Sequence, residues 1–507
     1  MRWRRTRSTT SGVLLPEITE AIADLLSSSD DFTALLAALP EEAKTPALAA
    51  VSRLSTSPSM TVAWPSITVR SPKLDSATIQ DLADATALGP RIVIDYPITT
   101  RNDLGAVADI AANITSLTFN LTGAGKAALS FFRSTIASCM HLESLELTDA
   151  SGGRGLIALN GDFFELAHLT SLALRGSGPW DGTPLPADVC ERLTHWLQTA
   201  PAVSLKLIDL GFAVEPGTPL CLALCDAISS SATLTTLALN QVSLFGGEFL
   251  HGRPLPKTLT SLEWDADEFA GDLHADTDEG WGNFLDALAD GPQLKHLSCK
   301  KFEALLEHEE LLEELEDLTS LSLHAMDVDQ NSDTVPLFLQ FLGNMLELNS
   351  LSLNTIGFCG KVARRLIKAL RFSQSLKELK LSAIGLTDDT MSAKDLKLLL
   401  QTVPKFMCLA HLDVSEHGLD MKTFLEMLPT LNAAAQDLQT ISIQGYWHQG
   451  DVEAFLDAVH QLPDRQFAIV LRPARSVNAT TEARCAQLIT EHGLGPRGGE
   501  QQCVLYL

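Results

Sequence analysis

Apolar residues return along this chain in one six-residue frame, L-x-x-L-x-L. Leu142–Leu147, Leu169–Leu174, Leu234–Leu239, Leu318–Leu323, Leu348–Leu353 and Leu376–Leu381 carry it intact, and Leu409–Val414 and Leu438–Ile443 with small changes. Weaker copies stand at Ile114–Phe119, Leu259–Trp264 and Leu294–Cys299, while Ala202–Leu207 and Gln466–Leu471 lack the first large apolar residue. Within each copy the last two apolar residues alternate with period two, so they face one side of a short strand. The first apolar residue, three positions earlier, enters the same core from the turn. Successive copies start 24 to 35 residues apart. A second pattern at helical spacing follows most of them, as in Ala363, Leu366, Ile367 and Leu370, or Phe424, Leu425 and Leu428. One strand and one helix per unit predict an α/β repeat, with a parallel inner sheet and outer helices.

This frame resembles the leucine-rich repeats of the ribonuclease-inhibitor type over roughly residues 89 to 472. The resemblance implies a right-handed horseshoe solenoid that binds proteins. The family usually carries Asn or Cys eight residues after the first Leu. Here Ala150, Val242, Met326, Ile356, Ile384 and His417 stand at that place, which predicts turns held by apolar packing.

The frame is missing near the start, which gives the domain order. Residues 1–13 read as a basic tail, 14–60 as a small helical cap, 61–113 as degenerate first repeats, 114–479 as the solenoid and 480–507 as a C-terminal cap. Three short helices are expected in the N-terminal region, over Glu17–Leu26, Phe32–Leu39 and Pro46–Leu54. A stacked array exposes an apolar edge at each end, so caps are required. Leu14, Leu15, Pro16, Glu17 and Ile18, with Ile22, Leu25, Phe32, Leu35 and Leu36, resemble the opening of an F-box. That resemblance implies docking on a Skp1-type adaptor through Leu15, Pro16, Ile18 and Ile22. The second half departs from it, because Pro46–Val51 replaces the usual cysteine, basic residues and Trp. Residues 14–60 therefore either hold an adaptor or only cover the first repeat.

Composition narrows the partners. The 507 residues carry 37 Lys and Arg against 63 Asp and Glu, a formal charge of −26. Such a surface repels phosphate backbones and argues against nucleic acid, while leaving a basic protein partner open. No apolar run approaches a membrane span. The opening Met1–Arg7 is basic, without the apolar core of a secretory signal. The nine cysteines are scattered, several in apolar repeat slots, as in a reducing compartment. A cytoplasmic or nuclear location is the expectation. Cys221 and Cys225 stand one helical turn apart, but no second pair at ligand spacing accompanies them, so they read as core.

Catalytic motifs are poor. Asn120–Ala127 lacks the first Gly and the Ser or Thr of a phosphate loop, and His308-Glu309-Glu310 has no second His a turn later. The chain is expected to be no enzyme and to use no cofactor or metal. Outward strand positions are mostly hydroxyls, such as Ser144, Ser171, Thr236, Ser320, Ser322, Ser350 and Ser352. Interface anchors are usually Trp, Tyr and Arg. That places the partner candidates on the rim loops, at Trp180, Phe245, Phe249, Phe269, Trp281, Tyr446 and Trp447. Lys361, Arg364, Arg365, Lys368 and Arg371 form a basic island on one helix side, with Lys377 and Lys380 just beyond. It either takes an acidic partner or solvates the back of a repeat. The functional expectation is a protein-binding scaffold, as substrate receptor of an SCF-type ubiquitin ligase or as a stoichiometric inhibitor or regulator of a basic protein.

Overall fold

The computed structural model describes residues 16–100, 103, 107–159, 161–176, 183–245, 248–265, 277–300, 305–306, 308–327, 334–356, 360–371, 373–383, 393–414, 421–434, 437–445, 449–461, 468–473, 484, 487 and 503–505. The chain divides into two compact units, residues 1–256 with 267–280, and residues 257–266 with 281–507.

The first unit opens with helices α1 (Pro16–Leu25), α2 (Ser29–Ala38) and α3 (Pro46–Leu54). Local chemistry starts the last two. Ser28 caps α2 by accepting from the Asp31 N–H, with Asp30 and Asp31 favourably placed in its first turn. Thr45 caps α3 by accepting from the Leu48 N–H, and Pro46 occupies the first turn, where a missing N–H costs nothing. A hairpin of β1 (Met60–Ala63) and β2 (Ser66–Val69) follows, then α4 (Ser76–Ala85), β3 (Arg91–Ile98) and β4 (Ile114–Asn120). Next come α5 (Lys126–Ser138), β5 (Ser144–Thr148), α6 (Arg154–Leu159), β6 (Ser171–Arg175), α7 (Ala187–Thr199), β7 (Ser204–Leu210), α8 (Pro219–Ser229) and β8 (Thr236–Val242). From β2 to β8 each strand pairs in parallel with the next.

The second unit repeats the alternation, with no hairpin among its described residues. Its strands are β9 (Ser261–Asp265), β10 (His296–Lys300), β11 (Ser320–Asp327), β12 (Ser350–Ile356), β13 (Glu378–Ala383), β14 (His411–Asp413), β15 (Thr440–Gly445), β16 (Ala468–Pro473) and β17 (Cys503–Leu505), all paired in parallel in that order. Between them run α9 (Thr277–Ala289), α10 (Glu309–Glu314), α11 (Thr334–Asn344), α12 (Gly360–Leu370), α13 (Ala393–Thr402), α14 (Met421–Ala434) and α15 (Gln449–His460). Parallel pairing demands a crossover between strands, and the helices supply it. The chain is thus an α/β repeat structure of leucine-rich-repeat kind.

Register explains the frame. Leu145, Leu172, Leu205 and Leu237 stand side by side across β5–β8, and Leu147, Leu174, Leu207 and Leu239 form a second row. In the second unit Leu262, Leu297, Leu321, Leu351, Leu379, Leu412, Ile441 and Ile469 make one continuous row. All are buried, each contributing about 1.5–3 kcal/mol relative to exposure. Helix residues close the core from the other side: Val362, Ala363, Leu366, Ile367 and Leu370 of α12 are buried while Lys361, Arg364, Arg365 and Lys368 are exposed.

Many strands of both units are entered through the same backbone device. The carbonyl of the second frame residue accepts from two consecutive N–H groups of the following repeat. Glu143 O accepts from Thr170 and Ser171, Thr170 O from Val203 and Ser204, Lys295 O from Thr319 and Ser320, and Asn349 O from Lys377 and Glu378. At the exit of β5 the expected apolar turn is corrected. Buried Asp149 accepts from the backbone N–H groups of Ser151, Gly155 and Leu156 and from the Ser151 hydroxyl, so a carboxylate holds this turn and starts α6.

Candidate interaction surface

The strand residues that alternate with the leucines form the outward face of each unit. In the first unit the leading row is Ser116, Ser144, Ser171, Ser204 and Thr236, and the next is Thr118, Glu146, Ala173, Lys206 and Ala238. Thr148, Arg175, Ile208 and Asn240 continue a third row. The second unit follows the same grammar with stronger chemistry. Its middle row runs Glu263, Ser298, Ser322, Ser352, Lys380, Asp413 and Ser442. Its third row runs Lys300, His324, Asn354 and Ser382. Lys300 Nζ lies 2.7 Å from Asp265 Oδ1.

His324 sits among hydroxyls, its Nε2 3.0 Å from Ser298 Oγ and 3.3 Å from Ser322 Oγ. Burial pushes its pKa down, the carboxylates of Asp265 and Glu263 oppose that shift, and Lys300 and Lys380 add to it. The neutral imidazole is therefore favoured, able to donate through one nitrogen and accept through the other. This third row escapes the motif, which ends at its sixth residue. The signal was nonetheless available, since period two carries the outward face one step past the last leucine.

The N-terminal helices show a second surface. The Trp64 indole stacks on Phe32 with ring centroids 4.1 Å apart and planes 6° from parallel, and its Nε1–H donates to Ala23 O at 3.2 Å. Thr19 and Ala23 of α1 are fully buried. On another side of α1, Ile18 is 46% exposed and Leu25 84%, with Ile22 half-buried between them. Positions 18, 22 and 25 are spaced i, i+4, i+7, so they share one helix face. Pro16 opens α1, and Leu15 lies outside the described residues.

The rim candidates divide. Phe245 and Phe249 are a correction: both are buried, 5% and 0% exposed, each in a short 3-10 turn folded into the core. Trp180, Phe269, Tyr446 and Trp447 lie outside the described residues, and Trp281 is described only as a backbone position in α9. The basic island is the solvent side of α12, where Arg364 Nε pairs with Asp395 Oδ1 at 2.9 Å. Lys361, Arg365, Lys368 and Arg371 are exposed. Lys380 does not extend the island, because it stands in the outward row of β13.

Among the described residues there is no cluster of three or more His, Cys, Asp or Glu fit for a metal, and no helix long and apolar enough to cross a membrane.

No family model matches the chain, and no curated protein matches it. Among solved structures it is similar to the leucine-rich repeat-containing protein LegL7 from Legionella pneumophila, at 20% identity, over 61% of this chain and 96% of that one, with a TM-score of 0.39. It is also similar to the protein of a TLR13–ssRNA13 complex, at 13% identity, over 80% of this chain and 61% of that one, with a TM-score of 0.22. The repeat architecture rests on the strand register and leucine rows of this chain.

Proposed function

We propose that the protein is a non-enzymatic binding scaffold, a ribonuclease-inhibitor-type repeat with right-handed crossovers, serving as substrate receptor of an SCF-type ubiquitin ligase. In this reading α1 docks on a Skp1-type adaptor, and the outward strand faces hold the substrate protein. The observation that carries it is the apolar face of α1. A helix that only capped the first repeat would turn its large aliphatic side chains inward, as α3 does with Leu48, Val51 and Leu54. On α1 the inward positions are instead Thr19 and Ala23, while Ile18 and Leu25 face out. Exposed aliphatic residues at helical spacing are what a helix-in-groove contact uses. The protein works in the cytoplasm or nucleus in this reading, and uses no cofactor. The test is co-purification with a Skp1-type adaptor. Wild-type chain should retain the adaptor, and the Leu15→Ala, Pro16→Ala and Ile18→Glu, Leu25→Glu double variants should lose it. Equal recovery from all three would overturn the reading.

A second reading is favoured by charge. With a net −26 and Glu146, Glu263 and Asp413 on the outward faces, the chain could act as a stoichiometric inhibitor or regulator of a basic protein. Its binding would weaken steeply between low and moderate salt. Salt-insensitive binding would count against it.

A further inference from the structure

Helix α11 carries no charged residue along its eleven positions, although one side of it faces solvent. Pro336, Gln340, Gly343 and Asn344 recur at i, i+4, i+7 and i+8 and are exposed, so they make one solvent-facing stripe. Leu337 and Leu339 beside it are half-buried, and Leu346, two residues past the helix, is 80% exposed. Solvent-facing helix sides ordinarily carry charge. Gly343 is a further oddity, because its own chain does not require it. A Cβ at that position would meet nothing within 4 Å, and its φ lies outside the left-handed region. Gly weakens a helix relative to Ala, and what it permits here is close approach of another backbone.

The two neighbours of α11 carry opposite charge. On α10 and the turn after it, Glu313, Glu314 and Asp317 are exposed and Glu316 is half-buried. On α12, Lys361, Arg365 and Lys368 are exposed. Asp317 pairs with Lys295 and Arg364 with Asp395, but among the described residues Glu313, Glu314, Glu316, Lys361, Arg365 and Lys368 make no ion pair. The two sets cannot neutralise each other within one chain, because α11 stands between them. Asn344 Nδ2 donates to Glu316 Oε1 at 2.8 Å on one side, and α12 packs against α11 on the other. Packed helix axes lie about 8–10 Å apart, so the flanks are roughly 16–20 Å apart, beyond the screening length of about 8 Å. Between α10 and α11 runs a groove floored by Leu306, Leu312, Leu337 and Phe341 and edged by Glu313 and Glu316. An apolar floor with carboxylates at its rim suits the aliphatic stem and cationic head of Lys or Arg.

We propose that α10, α11 and α12 form a self-complementary face, through which two copies of this chain pair about a twofold axis running along α11. In such a contact the same patch meets itself, so positions exchanged by the axis must complement each other. An axis along α11 turns the α10 flank of one copy onto the α12 flank of the other, twice over. Arg365 and Lys368 of one copy then reach over the groove to Glu313, Glu314 and Glu316 of the other. The uncharged stripe and Leu346 meet their own equivalents. An axis across the helices would set acid on acid and base on base, so the charges select the axis. A basic partner protein would match α10 alone and an acidic one α12 alone, whereas a second copy matches both flanks at once. Three short helices side by side cover roughly 500 Å² per copy, against about 800 Å² for a standard interface, so the pair is a reversible one.

The test is sedimentation velocity of the full chain at rising concentration. At low salt the wild type should pass from monomer to dimer between about 1 and 100 μM, and pairing should weaken about tenfold in roughly 0.5 M salt. The double variants Glu313→Lys, Glu314→Lys and Arg365→Glu, Lys368→Glu should each pair at least about tenfold more weakly, because like charges then face each other. An equimolar mixture of the two double variants should regain wild-type pairing, and so should the single chain carrying all four substitutions. That recovery separates a direct contact from damage to the fold. A wild type that stays monomeric at about 100 μM in low salt, a double variant that pairs as tightly as wild type, or a mixture that stays monomeric would overturn the proposal.

Discussion

Helix α1 and strand β12 present their side chains to solvent in opposite ways. On β12 the leucines Leu351 and Leu353 are at most 1% exposed, and the outward Ser350, Ser352 and Asn354 are polar. On α1 the well-buried positions include Thr19 and Ala23, and the outward ones include Ile18 and Leu25. Six large apolar residues are exposed among those described, and two of the six lie within these eight positions of α1. The repeats bury what is apolar because stacking supplies a neighbour for every strand. Among the described residues, no neighbour covers Ile18 and Leu25 in this way. The difference separates surface that builds the array from surface available to a partner.

The comparison can be broken most forcefully at Trp64. Trp64→Ala removes the stack on Phe32 and the bond to Ala23, and should destabilise the N-terminal helices by about 4 kcal/mol. Amide exchange of residues 16–38 should then accelerate while that of β12 stays protected. Unchanged exchange in α1 would mean that its buried face does not hold it. Leu351→Ala should cost about 3 kcal/mol in chemical denaturation, whereas the adjacent outward Ser350→Ala should change stability by less than about 0.5 kcal/mol. Asp149→Ala leaves backbone donors at the start of α6 without a partner and should cost about 2 kcal/mol, measured the same way.

A smaller effect is expected from His324. Its folded-state pKa lies below its unfolded value, so its contribution to stability is complete above about pH 6.5 and is lost as pH falls from there through the lowered folded-state value. The difference in thermal midpoint between wild type and His324→Gln should therefore narrow or reverse between pH 7.5 and pH 5.5. A constant difference across that range would contradict the shift.

Much of the architecture was legible in the sequence. The L-x-x-L-x-L frame locates the core strands because burial on one face enforces period two, and a slip of one residue would turn every leucine outward. Helices over Glu17–Leu26, Phe32–Leu39 and Pro46–Leu54 were readable from the Ala- and Leu-rich sequence; the first two differ from the observed ones by one to three residues at their ends and the third coincides. The surfaces were less legible. Phe245 and Phe249 sit in Gly-rich sequence with no periodicity, so nothing local says whether an aromatic folds inward, and hydrophobic burial took both into the core. His324 was missed because its hydroxyl neighbour Ser298 stands 26 residues away in sequence and is brought alongside only by sheet register. The exposure of Ile18 could not be read from its own helix, because the inward face of α1 is set by Trp64, which lies 41 residues beyond Ala23.

The most direct test of the account is titration of the purified chain with a purified Skp1-type adaptor in a calorimeter, alongside Ile18→Glu, Leu25→Glu. Both substitutions fall on solvent-facing positions, so the variant should keep wild-type stability within about 0.5 kcal/mol. The account predicts saturable one-to-one binding by the wild type and at least a hundredfold weaker binding by the variant. No heat of binding from the wild type, or equal affinity of the two proteins, would contradict it.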